Sequence, residues 1–391
     1  GRKFCALPDG RYILPRDGAV TGFGEACLVA EGEIGKICSA GESLILHKRR
    51  QRYQGTHPRR FEEKYKEHEP EKYAGTIEKV ISKGSTPAGM HISICVEEIL
   101  EVLNIRPGER GIDLTLGYGG HTRRMLEQLK GQGHIWGLDV DPIELRKTKE
   151  RLNGLGYGED VLTVIQENFS EIARIGKEYG PFDFVLADLG VSSMQIDNPE
   201  RGFSYKTEGP LDLRLNPEQG VTAAERLLEL SEEEIAGMLA ENADEPYARE
   251  IAGELAGRIR RGRKPETTAQ LREAVEATLA FLPEDKQKKD VVKKTCQRVF
   301  QAIRIDVNSE FEVLDAMLAG LPEAMAPGGR AAILTFHSGE DRLVKKAFKR
   351  FYNEGIFCDI AKDVIRPSAE ECRRNGRAGC AKLRWAVKAE M

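Results

Sequence analysis

Gly111-Ile-Asp-Leu-Thr-Leu-Gly-Tyr-Gly-Gly-His121 decides the fold of this 391-residue chain. A short apolar run rich in β-formers ends in closely spaced glycines, and a helical pattern over residues 122–129 follows at once. A buried strand delivers the chain in this way to a ligand-binding turn, where glycine admits backbone angles and a close approach that a Cβ would block. Many α/β proteins use such a turn only to pack a strand against a helix. Two later acids point further. Asp139 ends the run His134-Ile-Trp-Gly-Leu-Asp139, roughly 20 residues downstream, where a ribose-binding carboxylate belongs. Asp188 ends a third run, Phe182-Asp-Phe-Val-Leu-Ala-Asp188. Three strand ends with polar groups at their carboxyl sides outline the crevice of a doubly wound parallel sheet and a nucleoside-cofactor site.

The rest of the chain extends this α/β, Rossmann-like pattern. Helical spacing over 94–103 precedes the glycine turn, and helices at 142–152 and 170–179 flank a strand at 161–165 that leads to Asn168-Phe169. Strands alternating with helices predict right-handed parallel crossovers. Residues 189–220 break the pattern with five glycines and prolines before Pro217, and a stretch so irregular inside a domain points to function. From 221 to 299 every pattern is helical, with capping boxes at Ser231/Glu234 and Thr267/Gln270. A helix at 308–318, a strand at 330–336, a helix at 341–351 and two terminal β-runs at 357–360 and 382–387 then complete the sheet. Residues 1–50 read as a small β-type appendage and 51–89 as a polar arm or linker in which His57 and His68 are solvated. The domains expected are thus 90–220 with 300–391, enclosing a helical insert at 221–299.

Composition narrows the class. With 40% hydrophobic and 31% charged residues, the chain has ordinary globular content, and no run spans a bilayer. No signal-peptide core opens it, so a cytoplasmic protein without membrane contact is expected. Eight cysteines without a C-x-x-C pair predict reduced thiols and no metal site. The net charge of −4 is uneven. Basic clusters at 48–52, 258–264, 286–294 and 373–384 suggest a polyanionic partner, although each alone is no more than a solvated face.

Several motifs in order resemble one family. They are Gly117-Tyr-Gly-Gly-His121, Asp188-Leu-Gly-Val-Ser-Ser193 with Gln195, Glu200-Arg-Gly-Phe203, Gly209-Pro-Leu-Asp-Leu-Arg214, Phe300-Gln-Ala-Ile-Arg304 with Val307-Asn308, and Phe336-His-Ser338 with Glu340-Asp-Arg342. The family is RsmH (MraW), S-adenosylmethionine-dependent methyltransferases of a cytidine N4 amine in 16S rRNA of the small ribosomal subunit. The resemblance covers residues 90 to 391. It implies cofactor binding by Gly119, Gly120, His121, Asp139, Phe169, Asp188 and Gln195, with Asp139 on the ribose hydroxyls and Phe169 against the adenine. It leaves a homodimer open. Two departures stand out: Gly339 replaces the family's usual Leu, and the tail motif reads Asn375-Gly-Arg-Ala-Gly-Cys380.

For chemistry, Asp188 or the backbone carbonyls of 189–193 are the candidates to orient the amine. Phe203 and Tyr205 are candidates to stack on an unstacked base, or else plug the core under their loop. Ser193, Asp212, Arg214 and His337 complete the expected substrate side, with a structural ion pair as the rival role for Asp212 and Arg214. Three other functions compete: a paralogue acting on another RNA or a small amine, a non-enzymatic RNA- or ribosome-binding module, and a nicotinamide dehydrogenase. Substrate comparison, any methyl transfer, and the identity of the bound cofactor distinguish them respectively.

Overall fold

The structure is a computed structural model that describes residues 93–284 and 286–390 continuously, together with five strands between residues 4 and 38. The chain divides into Gly1–Arg59 and Arg60–Met391. In the first unit, β1 (Phe4–Ala6), β4 (Ala26–Ala30) and β5 (Glu33–Cys38) form a sheet in the order β1-β4-β5. Between them, β2 (Tyr12–Arg16) and β3 (Ala19–Phe23) pair antiparallel as a hairpin. The end of the appendage expected over 1–50, the basic cluster at 48–52 and the arm at 51–89 with His57 and His68 lie outside the described residues.

The second unit is built on a seven-stranded sheet. Its strands are β6 (Arg110–Asp113), β7 (His134–Asp139), β8 (Leu162–Gln166), β9 (Phe182–Asp188), β10 (Met325–Thr335), β11 (Phe357–Ile360) and β12 (Lys382–Lys388), in the order β11-β12-β10-β9-β6-β7-β8. The pairs β6–β7, β7–β8, β6–β9 and β9–β10 are parallel, whereas β12 runs antiparallel to both neighbours. The terminal runs do pair, but not as a tight hairpin. A helix at Ala369–Arg374 separates them, and β12 inserts between β10 and β11. The chain leaves β6 toward β8 and returns across it to β9, so the switch point lies between β6 and β9, where such sheets open a crevice at the carboxyl ends.

Strand periodicity explains how both faces are covered. Along β9, Val185 and Ala187 point into one apolar cluster while Phe184 and Leu186 point into another. The first face packs against α4 (Ile172–Tyr179), α11 (Glu310–Ala324) and α12 (Ser338–Asn353). The second face is covered by α1 (Val96–Leu103), α2 (Gly120–Leu129) and α3 (Pro142–Gly154). Because both faces are buried, the strands read as nearly unbroken apolar runs.

Past β9 come a single turn of helix, α5 (Ser193–Asp197), and an irregular loop. Five helices follow: α6 (Ala223–Glu229), α7 (Glu232–Ala243), α8 (Ala248–Arg260), α9 (Thr268–Thr278) and α10 (Lys286–Val307). They bury a third cluster around Ile235, Leu239, Ile251, Leu255, Leu271, Val275, Val299 and Ile303. The capping boxes read at Ser231/Glu234 and Thr267/Gln270 form, as do Thr222/Glu225 and Ser192/Gln195. Helix α10 is continuous through residues 299 and 300 and carries the chain from the helical cluster back toward the sheet.

Gly111 is required by close approach. It is paired with Phe184 across β6 and β9, and a Cβ there would come within 1.9 Å of the Phe184 ring. Gly111→Ala is expected to lower stability by about 1–3 kcal/mol, the usual cost of overfilling a core. A shift in the midpoint of urea unfolding measures it, and an unchanged midpoint would mean that the ring moves freely.

Candidate active site

The ends of β6, β7 and β9 are held together by backbone donors rather than by chance proximity. At the end of β6, Asp113 is buried and accepts from Thr122 Oγ1 at 2.5 Å and from Thr115 N at 3.1 Å, which ties the strand to the start of α2. Burial raises its carboxyl above the ordinary range, against these bonds and the pull of His121. Thr115 Oγ1 in turn accepts from Asp188 N at 2.6 Å, joining the ends of β6 and β9.

The glycine turn divides its labour. Gly119 caps α2 with φ 74° and packs toward α3, where a Cβ would meet Thr148 Cγ2 at 2.9 Å. It therefore supports the turn from behind. Gly120 and His121 line the cavity. His121 Nε2 lies 3.4 Å from Asp188 Oδ2 with both side chains largely enclosed. Burial opposes charge on this imidazole, but the Asp188 carboxylate, helped by Asp113, outweighs it and raises its pKa. Asp188 Oδ1 is buried with no hydrogen-bond partner.

At the end of β7, Asp139 Oδ2 accepts from Gly117 N at 2.7 Å and Oδ1 from Asp141 N at 2.9 Å, so the carboxylate pins the glycine turn to the next strand end. Burial pushes its carboxyl up to about 7 despite these bonds. Two residues on, fully buried Asp141 caps α3 by accepting from Ile143 N at 3.0 Å and Glu144 N at 3.3 Å. Its other oxygen takes Arg201 Nη1 at 2.6 Å and Gln195 Nε2 at 3.0 Å. Sequence reasoning missed Asp141 and Arg201, although Asp141-Pro142 is a helix-start signal that marks the acid as a cap.

Gln195 lines the cavity, yet its amide is used within the protein. Its Oε1 accepts from Ser192 N at 2.9 Å in the cap of α5, while Nε2 donates to Asp141. Phe169, at the start of a short turn after β8, borders the same space, as do Ser193, Phe203, Tyr205 and His337. Phe203 is 9% exposed in the helical-side core and also lines the cavity. His337 caps α12 and sits 3.2 Å from Glu340 Oε1. Glu310, His337 and Glu340 bring ligand-type atoms within 4.8 Å of one another, but Arg304 grips Glu310 at 2.7 and 2.8 Å, and Glu340 accepts from Phe336 N and His337 N. That group is an internal charge network.

Asp212 and Arg214 do not reach the cavity wall. Arg214 Nε and Nη2 donate to the two Asp212 oxygens at 2.7 and 2.9 Å, and Nη1 donates to Gly220 O, so the pair braces its own loop. The departure at Gly339 has a local cause. A Cβ there would lie 2.5 Å from Phe311 Cζ, so the glycine lets Phe311 rest against the His337 ring at a centroid distance of 5.7 Å. The altered tail also lines the cavity, through Arg374, Asn375, Gly376, Arg377 and Cys380, with Arg377 Nη2 donating to Asp197 at 3.0 Å.

The cavity measures about 1000 Å³, enough for a nucleoside cofactor and part of a second ligand. A buried, unpartnered carboxylate oxygen, an adjacent imidazole and a strand-end acid fit a cationic, hydroxyl-bearing ligand. A sheet of this order, with its cavity at the parallel strand ends, defines an S-adenosylmethionine-dependent methyltransferase. The chain belongs to the MraW methylase family, whose pattern matches residues 88–389. It is 63% identical over 344 residues to Ribosomal RNA small subunit methyltransferase H 1 of Lachnoclostridium phytofermentans, covering 88% of this chain and 94% of that one. The protein of the same name from Agathobacter rectalis is 65% identical over 344 residues, 88% of this chain and 98% of its own. Ribosomal RNA small subunit methyltransferase H 2 of Acholeplasma laidlawii is 54% identical over 340 residues, 87% and 98% of the two chains. These lengths exceed what the chain holds from residue 88 onward, so the likeness reaches into the stretch ahead of the family pattern. No helix among the described residues is long and apolar enough to cross a membrane.

Two outcomes are expected at this site. Protonating Asp139 removes acceptor capacity, so cofactor affinity should weaken as pH falls through about 7. Asp139→Asn should flatten that dependence and cost about tenfold to a hundredfold in affinity, as titration calorimetry across pH would record. Arg201→Leu strands the buried Asp141 carboxylate and should cost about 3–5 kcal/mol in thermal or denaturant unfolding.

Proposed function

We propose that this chain transfers the methyl group of S-adenosylmethionine to the N4 exocyclic amine of a cytidine in 16S rRNA of the small ribosomal subunit. The observation that carries the chemical part is Asp188 at the end of β9, which lines the cavity with its Oδ2 3.4 Å from His121 Nε2. The names of the relatives support the ribosomal RNA part.

The bound cofactor supplies an electrophilic methyl on a sulfonium. The protein's task is to present the nucleophile, because the cytosine amine has its lone pair delocalised into the ring. His121 steadies Asp188 at Oδ2, and this cavity-lining carboxylate accepts a hydrogen bond from the amine and turns its lone pair toward the methyl. Positioning of this kind can supply about 7–11 kcal/mol in favourable cases. As the amine gains positive charge, the same carboxylate stabilises it and holds the proton it must lose. Asp139 would accept from the ribose hydroxyls beyond its two backbone donors, and Phe169 would lie against the adenine. Phe203 and Tyr205 form an aromatic side for a base drawn out of its stack.

Asp188→Asn keeps the shape and removes the charge. It should lower kcat by about 10²-fold with cofactor affinity held within a few-fold. Near-normal turnover would assign the orientation to the backbone carbonyls of residues 189–193. Mass-spectrometric mapping of methylated cytidines in ribosomal RNA, from cells with and without this protein, tests the target. An unchanged map would overturn the assignment.

A further inference from the structure

Helix α10 turns a row of polar side chains to the cavity. Lys293, Gln297, Gln301 and Arg304, followed by Asn308 just past the helix end, all line it and recur every three or four residues. Two of the five are already engaged. Arg304 is held by Glu310, and Asn308 bonds Leu213 O and Leu215 N at 2.8 and 2.7 Å. The side chains of Lys293, Gln297 and Gln301 make no hydrogen bond or ion pair among the described residues. Gln301 is partly exposed and lines the cavity.

The adjoining face of the same helix is apolar and packed, with Cys296, Val299 and Ile303 buried in the helical-side core, and Phe300 at its edge is buried there too while also lining the cavity. The row therefore does not arise from a helix polar all round. Tyr205 stands edge-on to Phe300 at 6.1 Å and also lines the cavity, so an aromatic ring adjoins the amides. At 1.5 Å rise per residue, Lys293 to Gln301 spans about 12 Å, leading from the basic outer end of α10 inward.

From this juxtaposition we infer that Lys293, Gln297 and Gln301 form a binding track for the single-stranded RNA that adjoins the target nucleotide. The inference rests on the RNA-methylating function proposed above and names the part of the site that holds the flanking strand. Lysine offers a point charge for a phosphate. Each glutamine offers both donors and an acceptor, which suits base edges and a ribose 2′-hydroxyl. A cationic entry, amides and an adjoining aromatic ring together form the chemistry of a single-strand groove. None of the three is needed to hold the cofactor, which the opposite wall at β6, β7 and β9 receives.

The test compares full-length wild type, Lys293→Ala, the Gln297→Ala/Gln301→Ala pair and Lys294→Ala, using labelled methyl transfer to small ribosomal subunits that lack the modification. Lys294 is the exposed neighbour off the row and carries the same charge. The glutamine pair should raise KM for the subunit about tenfold, with cofactor affinity unchanged by calorimetry. Lys293→Ala should reduce the slope of log affinity against log salt by about one, and Lys294→Ala should leave it unaltered. Equal effects at both lysines, or an unmoved KM in the glutamine pair with wild-type melting behaviour, would overturn the track. Absence of transfer by the wild type would instead overturn the function itself, and the track with it.

Discussion

The pair formed by Asp141 and Arg201 is the contact on which the site depends. Asp141 is fully buried and its arginine nearly so. Neither charge is tolerable alone in that setting, so each fixes where the other must be. Asp141 starts α3 behind β7, while Arg201 belongs to the loop after α5. Arg201 also donates to Arg214 O and Leu215 O, and so draws the far end of that loop down as well. With Gln195 bound to the same carboxylate, one buried acid links the cofactor side of the cavity to the substrate side. The long irregular segment is ordered by these few charge-assisted bonds, because it has no ladder of its own to satisfy its backbone.

A second set of constraints keeps the reacting end of the cavity rigid. Asp188 N donates to Thr115, Asp139 accepts from Gly117 and Asp141, and Asp113 holds Thr115 and Thr122. Each acid in this chain of bonds sits where its strand stops, since the sheet has no further hydrogen bonds to offer there. The carboxylates that orient the turn are thereby in place before any ligand arrives. Among the oxygens of these three acids, Asp188 Oδ1 is buried without a protein donor. Preorganisation of this kind is what a methyl transfer with little covalent chemistry for the protein to perform requires.

The two departures from the family pattern have different standing. Gly339 is a packing exchange, in which the ring of Phe311 takes the room that a side chain at 339 would fill. The tail changes the cavity itself, because its residues line the wall and Arg377 anchors them to Asp197. A packing exchange leaves the ligand's surroundings as they were. A changed wall alters which atoms meet the substrate.

Much of the architecture was legible in one dimension because it follows from local periodicity. Apolar runs ending in Asp139 and Asp188, the glycine turn before His121, and helical spacing with caps at Ser231 and Thr267 each state their own structure. The class of cofactor site followed, since strand ends in a parallel sheet must converge. What the chain order concealed was which polar groups the protein consumes internally. Gln195 bonds Asp141 while still lining the cavity, Asp212 and Arg214 hold each other and Gly220, and Gly119 packs against α3. Asp141 and Arg201, 60 residues apart, gave no sign of each other, and the polar row on α10 was hidden in a run of lysines and glutamines that any solvated helix could carry. Tertiary structure alone decides these matters, because a hydrogen-bonding group reveals whether it is free or taken only when the chain has brought its partners to it.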